Sequence, residues 1–356
     1  MGLNFRWNIL KVVVLSALFG FISGILGGLI IASIYAPIYG IKDQIYGQAV
    51  ARTGILKEAE RAGKMHSALV SFYVNRQNGV PVSEDRLGYG TTLTTDGWIV
   101  TTQKVLRNGA YRTLAVAGDR RIYTIEKIVS DPFTNVVFVR LKAERMPVLG
   151  TASAGDLPAD SVLGTADANR KVYKIKTLGI AYANGEEDNV QSSEKLNKFL
   201  FVSSVGAELS SGGPLINNNG EIVGIVDDAE QGRAIPFEYV DSVFRELLKS
   251  GKATRPYLGV NYLDLGSHLY LRKDVSRGAE ITPSAKARGV LRSSPAANIG
   301  IVEGDIILKI DDVEIGYNAS LSEVVSQYQI GSAVSFVIRH GDGKEETKGV
   351  VFAEKP

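Results

Sequence analysis

Ser211 is the residue whose neighbours best suit it to chemistry. It stands in Glu208-Leu209-Ser210-Ser211-Gly212-Gly213-Pro214-Leu215. Two glycines after a serine permit a sharp backbone bend, so the hydroxyl and nearby N–H groups can face one cleft. Ser211 is therefore a candidate nucleophile; the alternative is a glycine-rich turn in which the serine is incidental. A serine hydroxyl attacks poorly without a base beside it, usually a histidine oriented by a carboxylate. The chain has three histidines, His66, His268 and His340, and none sits in a motif that brings it to Ser211. His66 is expected in the first strand of the region that holds Ser211. No cysteine is present, so disulfides and thiolate metal sites are excluded. No histidine–carboxylate spacing points to a metal, and no cofactor is expected.

The elements that must position Ser211 are strands. Phe199–Ser204 leads into the turn, and Leu215-Ile216 and Ile222–Val226 leave it as two apolar runs joined through Asn219-Gly220, a tight-hairpin signal. Ala68–Val74, Gly88–Gly97 with its Asp-Gly turn, Ile122–Val129, Val136–Leu141 and Val172–Ala183 add further strands. Many short strands between turns predict an all-β barrel or sandwich over about residues 64–240. Glu186 to Lys195 is polar and reads as a mobile loop. Val240, Val243 and Leu247 have helical spacing in Glu238–Ser250, and Gly251 is a suitable C-cap. Thr254-Arg255-Pro256 reads as a linker. From Tyr257 strands and helices mix. Pro295–Ile307 reads as a short helix, a turn and a strand. Ser320 and Glu323 form a capping box, which predicts a helix from Leu321 to about Tyr328. Val334–Ile338 and Gly349–Phe352 are closing strands.

The N-terminus differs in kind. Val12 to Tyr35 carries no charged side chain, and that length spans a bilayer core, which takes about 20 residues. Arg6 and Lys11 precede it, which places the N-terminus in the cytoplasm and the rest outside. Ala32–Ala36 as a cleavage site and a buried core helix are the alternatives. Ser16, Gly20, Gly24, Gly28 and Ala32 recur every four residues, a face on which another membrane helix can approach closely. A net charge of +2 offers no attraction for a nucleic acid.

The order strand, Ser211-Gly212-Gly213-Pro214-Leu215, hairpin, Ala234-Ile235-Pro236, helix and Arg255-Pro256-Tyr257-Leu258-Gly259-Val260 resembles the HtrA family, trypsin-like serine proteases followed by a PDZ domain. The resemblance covers roughly residues 64–356. It implies a mainly β fold, a trypsin-like double β-barrel followed by an α+β PDZ domain, here with an N-terminal transmembrane helix. The two barrels are expected to have six strands each, with Ser211 in the cleft between them. The expected divisions are a cytoplasmic N-terminus (1–11), a transmembrane helix (12–35), a stalk (36–63), a protease domain (64–250) and the PDZ domain (251–356).

Set against the family pattern, the catalytic positions have changed. The triad histidine follows a strand matching Gly97–Val105, which places Lys104 there. The aspartate follows a stretch matching Asp131-Pro132-Phe133-Thr134, which places Asn135 there. Asp131, about 13 Å along a strand from that position, is no substitute. The oxyanion hole involves Leu209, Ser210 and Ser211, and Leu209 replaces a glycine whose backbone freedom a leucine lacks. These losses imply an inactive protease fold. The competing expectation is a serine endopeptidase of protein quality control, with Lys104 as base after its pKa has been lowered by burial or a nearby positive charge.

The resemblance also assigns a peptide groove. Tyr257-Leu258-Gly259-Val260 matches the PDZ carboxylate loop, and the helix bearing Val324 and Val325 forms the facing wall. A PDZ domain takes a peptide as an added strand and holds its C-terminal carboxylate on backbone N–H groups. The partners implied are peptide or unfolded-protein C-termini, the membrane, and a trimeric assembly or an active HtrA-like relative that this chain regulates as a structural subunit.

Overall fold

The computed structural model of the chain describes residues 14–25, 59–76, 81–107, 112–158, 160–169, 171–182, 190–203, 209–267, 276–285 and 287–354. Two compact units divide at Arg61 and Ala62. In the first, residues 14–25 are helical and exposed throughout.

Helix α1, over 59–68, runs directly into strand β1, Leu69–Val74, of the second unit. His66 therefore lies on a helix, not in the first strand. The helix end packs tightly on Gly118, where a Cβ would collide with the His66 carbonyl. There follow β2 (Arg86–Thr92), β3 (Trp98–Thr102), β4 (Thr113–Ala117), β5 (Ile122–Tyr123), β6 (Ile125–Ser130) and β7 (Val136–Leu141). They form one seven-stranded sheet in the order β5-β4-β1-β2-β3-β7-β6. The expected six strands become seven because Ile122–Val129 is two strands. β5 pairs with β4 and β6 with β7, so the chain changes partner at Thr124.

The next strands are β8 (Val162–Ala166), β9 (Val172–Tyr182), β10 (Val190–Ser192), β11 (Lys198–Val202), β12 (Pro214–Ile216), β13 (Ile222–Asp228) and β14 (Arg233–Pro236). All but β10 close into a six-stranded barrel. β12 and β13 are the hairpin expected at Asn219-Gly220, with Gly220 at φ +83°. Helix α2, Phe237–Ser250, buries Val240, Val243, Phe244 and Leu247 and ends at Gly251, whose φ of +77° suits a glycine C-cap. Those side chains join Met65, Phe138, Ile225 and Ile235 in a core that draws on both sheets. Each fully buried aliphatic or aromatic side chain there is worth about 1.5–3 kcal/mol.

The C-terminal part contains β15 (Pro256–Tyr257), β16 (Asn261–Asp264), β17 (Ala279–Ile281), α3 (Pro295–Asn298), β18 (Ile306–Ile310), β19 (Val313–Glu314), α4 (Leu321–Ser326), β20 (Ala333–Arg339), β21 (Glu345–Val351) and β22 (Ala353–Glu354). Its sheet order is β10-β16-β17-β18-β20-β21. The capping box at Ser320 and Glu323 is present, and α4 stops two residues short of Tyr328. The edge strand β10 comes from the segment expected to be a mobile loop. Residues 183–189 lie outside the described part, but Val190–Ser192 is a strand and Glu194 is buried.

Candidate active site and peptide groove

The Ser211 turn is built by close backbone approach. Tyr89 N donates to Ser211 O at 2.9 Å, and Gly212 N donates to Val226 O at 2.7 Å. Gly212 has φ +80°, and a Cβ there would collide with Tyr89 O and Thr101 Oγ1, so glycine is required twice over. Leu209 is not among the described residues with positive φ, and its side chain packs against the second barrel's core. Ser210 O accepts from Gly213 N at 3.1 Å. The Ser211 hydroxyl donates to a backbone carbonyl, Asp227 O, at 3.3 Å.

Lys104 and Asn135, the two residues expected to stand where a triad would supply base and orienter, are engaged elsewhere. Lys104 Nζ lies 2.5 Å from Asp228 Oδ2, and this hydrogen bond is the main cause that holds the Asp228 carboxyl below its usual range. Asn135 Nδ2 donates to Asp227 Oδ1 at 3.0 Å. The other oxygen of Asp227 takes two hydrogen bonds from Arg233, from Nε at 3.1 Å and Nη2 at 2.8 Å. Asp227 is fully buried, so this set of partners offsets the cost of placing a charge there. A pocket of about 430 Å³ beside Lys104 and Asn135 is lined only by the first sheet and its loops, Ser211 not among them. Neither described histidine reaches Ser211. His340 instead bonds Asp305 Oδ1 and Glu346 Oε2 in the C-terminal part. Among the described residues no group of histidine, cysteine or acidic side chains is arranged to hold a metal ion.

In the C-terminal part, Tyr257 is in β15 and Leu258, Gly259 and Val260 lead into β16. Gly259 has φ +82°, and a Cβ there would strike Ser294, so the loop requires glycine to turn its N–H groups inward. Those N–H groups are occupied. Glu194 Oε1 accepts from Gly259 N at 2.9 Å and Leu258 N at 3.3 Å. Ser193 Oγ accepts from Val260 N at 3.0 Å. Val324 and Val325 lie on α4 as expected, each about 1% exposed within the core.

A match to the PDZ domain family covers residues 256–350. A probable periplasmic serine endoprotease, DegP-like, from a Marinomonas species is 29% identical over 279 residues, which is 76% of this chain and 57% of that protein. The chain is HtrA-like, a trypsin-type protease fold with a C-terminal PDZ domain. A putative serine protease HhoB from Synechocystis is 27% identical over 72% of this chain and 64% of its own length. This HtrA-like chain thus spans about three-fifths of the length of both relatives. A solved HtrA-type protease AlgW with decapeptide shares the fold at a TM-score of 0.57 and 18% identity, over 84% of this chain and 98% of that one.

Sequence reasoning missed Asp228 and Asp227, which partner Lys104 and Asn135, and Arg233, which holds Asp227. A signal existed: two carboxylates end the apolar strand Ile222–Val226, and acids on a buried strand must find partners. It also misread Arg255. The expected linker residue is 3% exposed, and its guanidinium donates to Asp131 Oδ2 from Nη2 at 2.7 Å and from Nε at 3.2 Å. Asp131 is fully buried and engaged there, away from the Asn135 position. The final expected site is the small-residue face. Ser16, Gly20 and Gly24 lie on the 14–25 helix, with nothing within 4 Å of a Cβ built at either glycine. Gly28 and Ala32 lie outside the described residues. Among the described residues no helix is long and apolar enough to cross a membrane.

Proposed function

We propose that this HtrA-like chain is a membrane-anchored protein of protease fold without proteolytic activity, which holds exposed peptide C-termini outside the cytoplasm through its PDZ domain. The observation that carries the first half is the pairing of Lys104 with Asp228. A lysine base must stand beside the serine hydroxyl it deprotonates, and Lys104 Nζ is instead engaged by Asp228 Oδ2 at 2.5 Å. The Ser211 hydroxyl is directed at a carbonyl, and Asn135 carries no charge with which to orient a base. Leu209 adds a backbone less free to form the oxyanion hole than glycine.

Peptide binding rests on the PDZ match and on a glycine-turned loop whose N–H groups already hold a carboxylate. The placement outside the cytoplasm rests on the uncharged stretch Val12–Tyr35 behind Arg6 and Lys11, together with the periplasmic description of the Marinomonas relative.

A fluorophosphonate probe that labels activated serines tests the inactive reading. The full chain and Ser211→Ala are expected to take up equal, background label; labelling that depends on Ser211 would establish an active nucleophile. Anchoring is tested by alkaline extraction of membranes. The full chain should stay in the pellet and a version lacking residues 1–35 should be released, whereas release of both would remove the anchor.

A further inference from the structure

The strand β10 and the two residues after it lie where a PDZ ligand would lie. β10 runs antiparallel to β16, with Val190 opposite Leu263, Gln191 opposite Tyr262 and Ser192 opposite Asn261. Its C-terminal end therefore arrives at the Leu258-Gly259-Val260 loop, the direction an added peptide strand needs to bring its carboxylate there. Ser193 continues the pairing, its N–H donating to Val260 O at 2.9 Å. Glu194 then places a side-chain carboxylate on the Leu258 and Gly259 N–H groups, and the Ser193 hydroxyl takes the Val260 N–H. All three loop donors are used.

The chemistry at Glu194 fits an anion site and little else. The residue is 4% exposed, and no described cation pairs with it. Its charge is met by the loop N–H groups and by two hydroxyls, Ser192 at 2.9 Å and Ser193 at 2.5 Å. An unpaired buried carboxylate is costly unless a nest of donors replaces water, and a PDZ loop is such a nest. The segment is tethered on one side through residues 183–189 to β9, and on the other to β11 through Leu196, which is buried in the core shared by both sheets.

We infer that residues 190–194 are an internal ligand of the PDZ groove, with Glu194 in the place of a C-terminal carboxylate, so that a peptide binds only by displacing them. This rests on the peptide-binding reading above. A tethered ligand competes at an effective concentration of about millimolar. The apparent affinity for a free peptide is reduced by the fraction of molecules whose groove is open. The competitor it fits is a chain end with a free α-carboxylate, which can replace the Glu194 carboxylate on the same donors.

The test uses the full chain in detergent and a fluorescent ten-residue apolar peptide ending in a free valine, with binding read by anisotropy. Glu194→Ala should bind at least about tenfold more tightly than the unmodified chain, since the competing carboxylate is gone. The C-terminally amidated peptide should gain nothing, and Lys195→Ala, an exposed neighbour, should leave the affinity unchanged. Ser193→Pro, which removes both the N–H that pairs with Val260 O and the hydroxyl on the Val260 N–H and leaves Glu194 in the chain, should give the same gain and serves if Glu194→Ala does not fold. Equal, measurable affinity in the unmodified chain and both variants would overturn the internal ligand and leave peptide binding standing. No binding by any of them at millimolar peptide would overturn both. Amide hydrogen exchange gives a readout that needs no peptide. Leu258, Gly259 and Val260 should exchange faster in Glu194→Ala while Val324, on the facing helix, does not; unchanged protection in the loop would overturn the inference.

Discussion

Asp227 and Asn135 meet across the cleft, the Asp227 carboxylate accepting from the Asn135 amide at 3.0 Å. Asn135 immediately precedes β7, and the charge it meets comes from the end of β13, where Arg233 also holds it. The pair is complementary only while position 135 is neutral.

Restoring the acid should therefore harm the fold. Asn135→Asp would remove a donor and set two carboxylates about 3 Å apart, so one of them takes a raised pKa. A group with a raised folded-state pKa contributes stability at low pH that is lost as pH rises through that pKa. Chemical denaturation should show a loss of about 1–3 kcal/mol near pH 7 and a smaller one near pH 5. No loss at neutral pH would contradict the pairing. Lys104→His together with Asn135→Asp should not rescue proteolysis, because Asp227 and Leu209 remain.

Arg255 ties the PDZ boundary to the first sheet. Its partners are Asp131, the Ser242 hydroxyl at 2.8 Å and the Tyr239 carbonyl at 2.7 Å. Arg255→Met would leave the Asp131 carboxylate buried with only Thr134 and the Phe133 N–H. Breaking one side of a buried pair costs about 3–5 kcal/mol. The urea midpoint should fall accordingly, and a change below about 1 kcal/mol would mean that water replaces the guanidinium.

Much of the fold was legible where the signal was local. Asn219-Gly220 announced the β12–β13 hairpin, Gly251 the end of α2, and Ser320 with Glu323 the start of α4. What stayed hidden depends on partners far along the chain. β10 has three residues and no periodicity of its own, and it becomes a strand because β16, some 70 residues later, offers an open edge. Thr124 looks like mid-strand until β4 and β7 claim its two sides. In the candidate site, the family resemblance was enough to single out Lys104, Asn135 and Leu209 as candidate residues. The network of Asp227, Asp228 and Arg233 did not follow from it, because that network exists only once β13 and β14 lie beside the cleft.

His340 supplies a pH signature for the PDZ region. Its hydrogen bond to Asp305, and then that to Glu346, raise its pKa above the ordinary histidine value of about 6.5. A raised value stabilises the fold below the unfolded pKa, and that contribution is lost as pH rises through the folded one. Imidazole NMR should place the His340 midpoint above 6.5, and Asp305→Asn should lower it. In denaturation experiments the stability difference between the unmodified chain and His340→Gln should shrink from about pH 6 to about pH 8. A midpoint at or below the ordinary value would remove this contribution.

A protease fold whose serine, lysine and asparagine are engaged in this way should not cut peptide bonds. Loss of a triad base and its orienter costs about 10⁴-fold or more in turnover. The most direct measurement is the release of fragments from unfolded casein by the purified full chain, run beside Ser211→Ala. Equal rates, at the level of the protein-free control, are the predicted result. Cleavage by the unmodified chain that disappears in Ser211→Ala would contradict it.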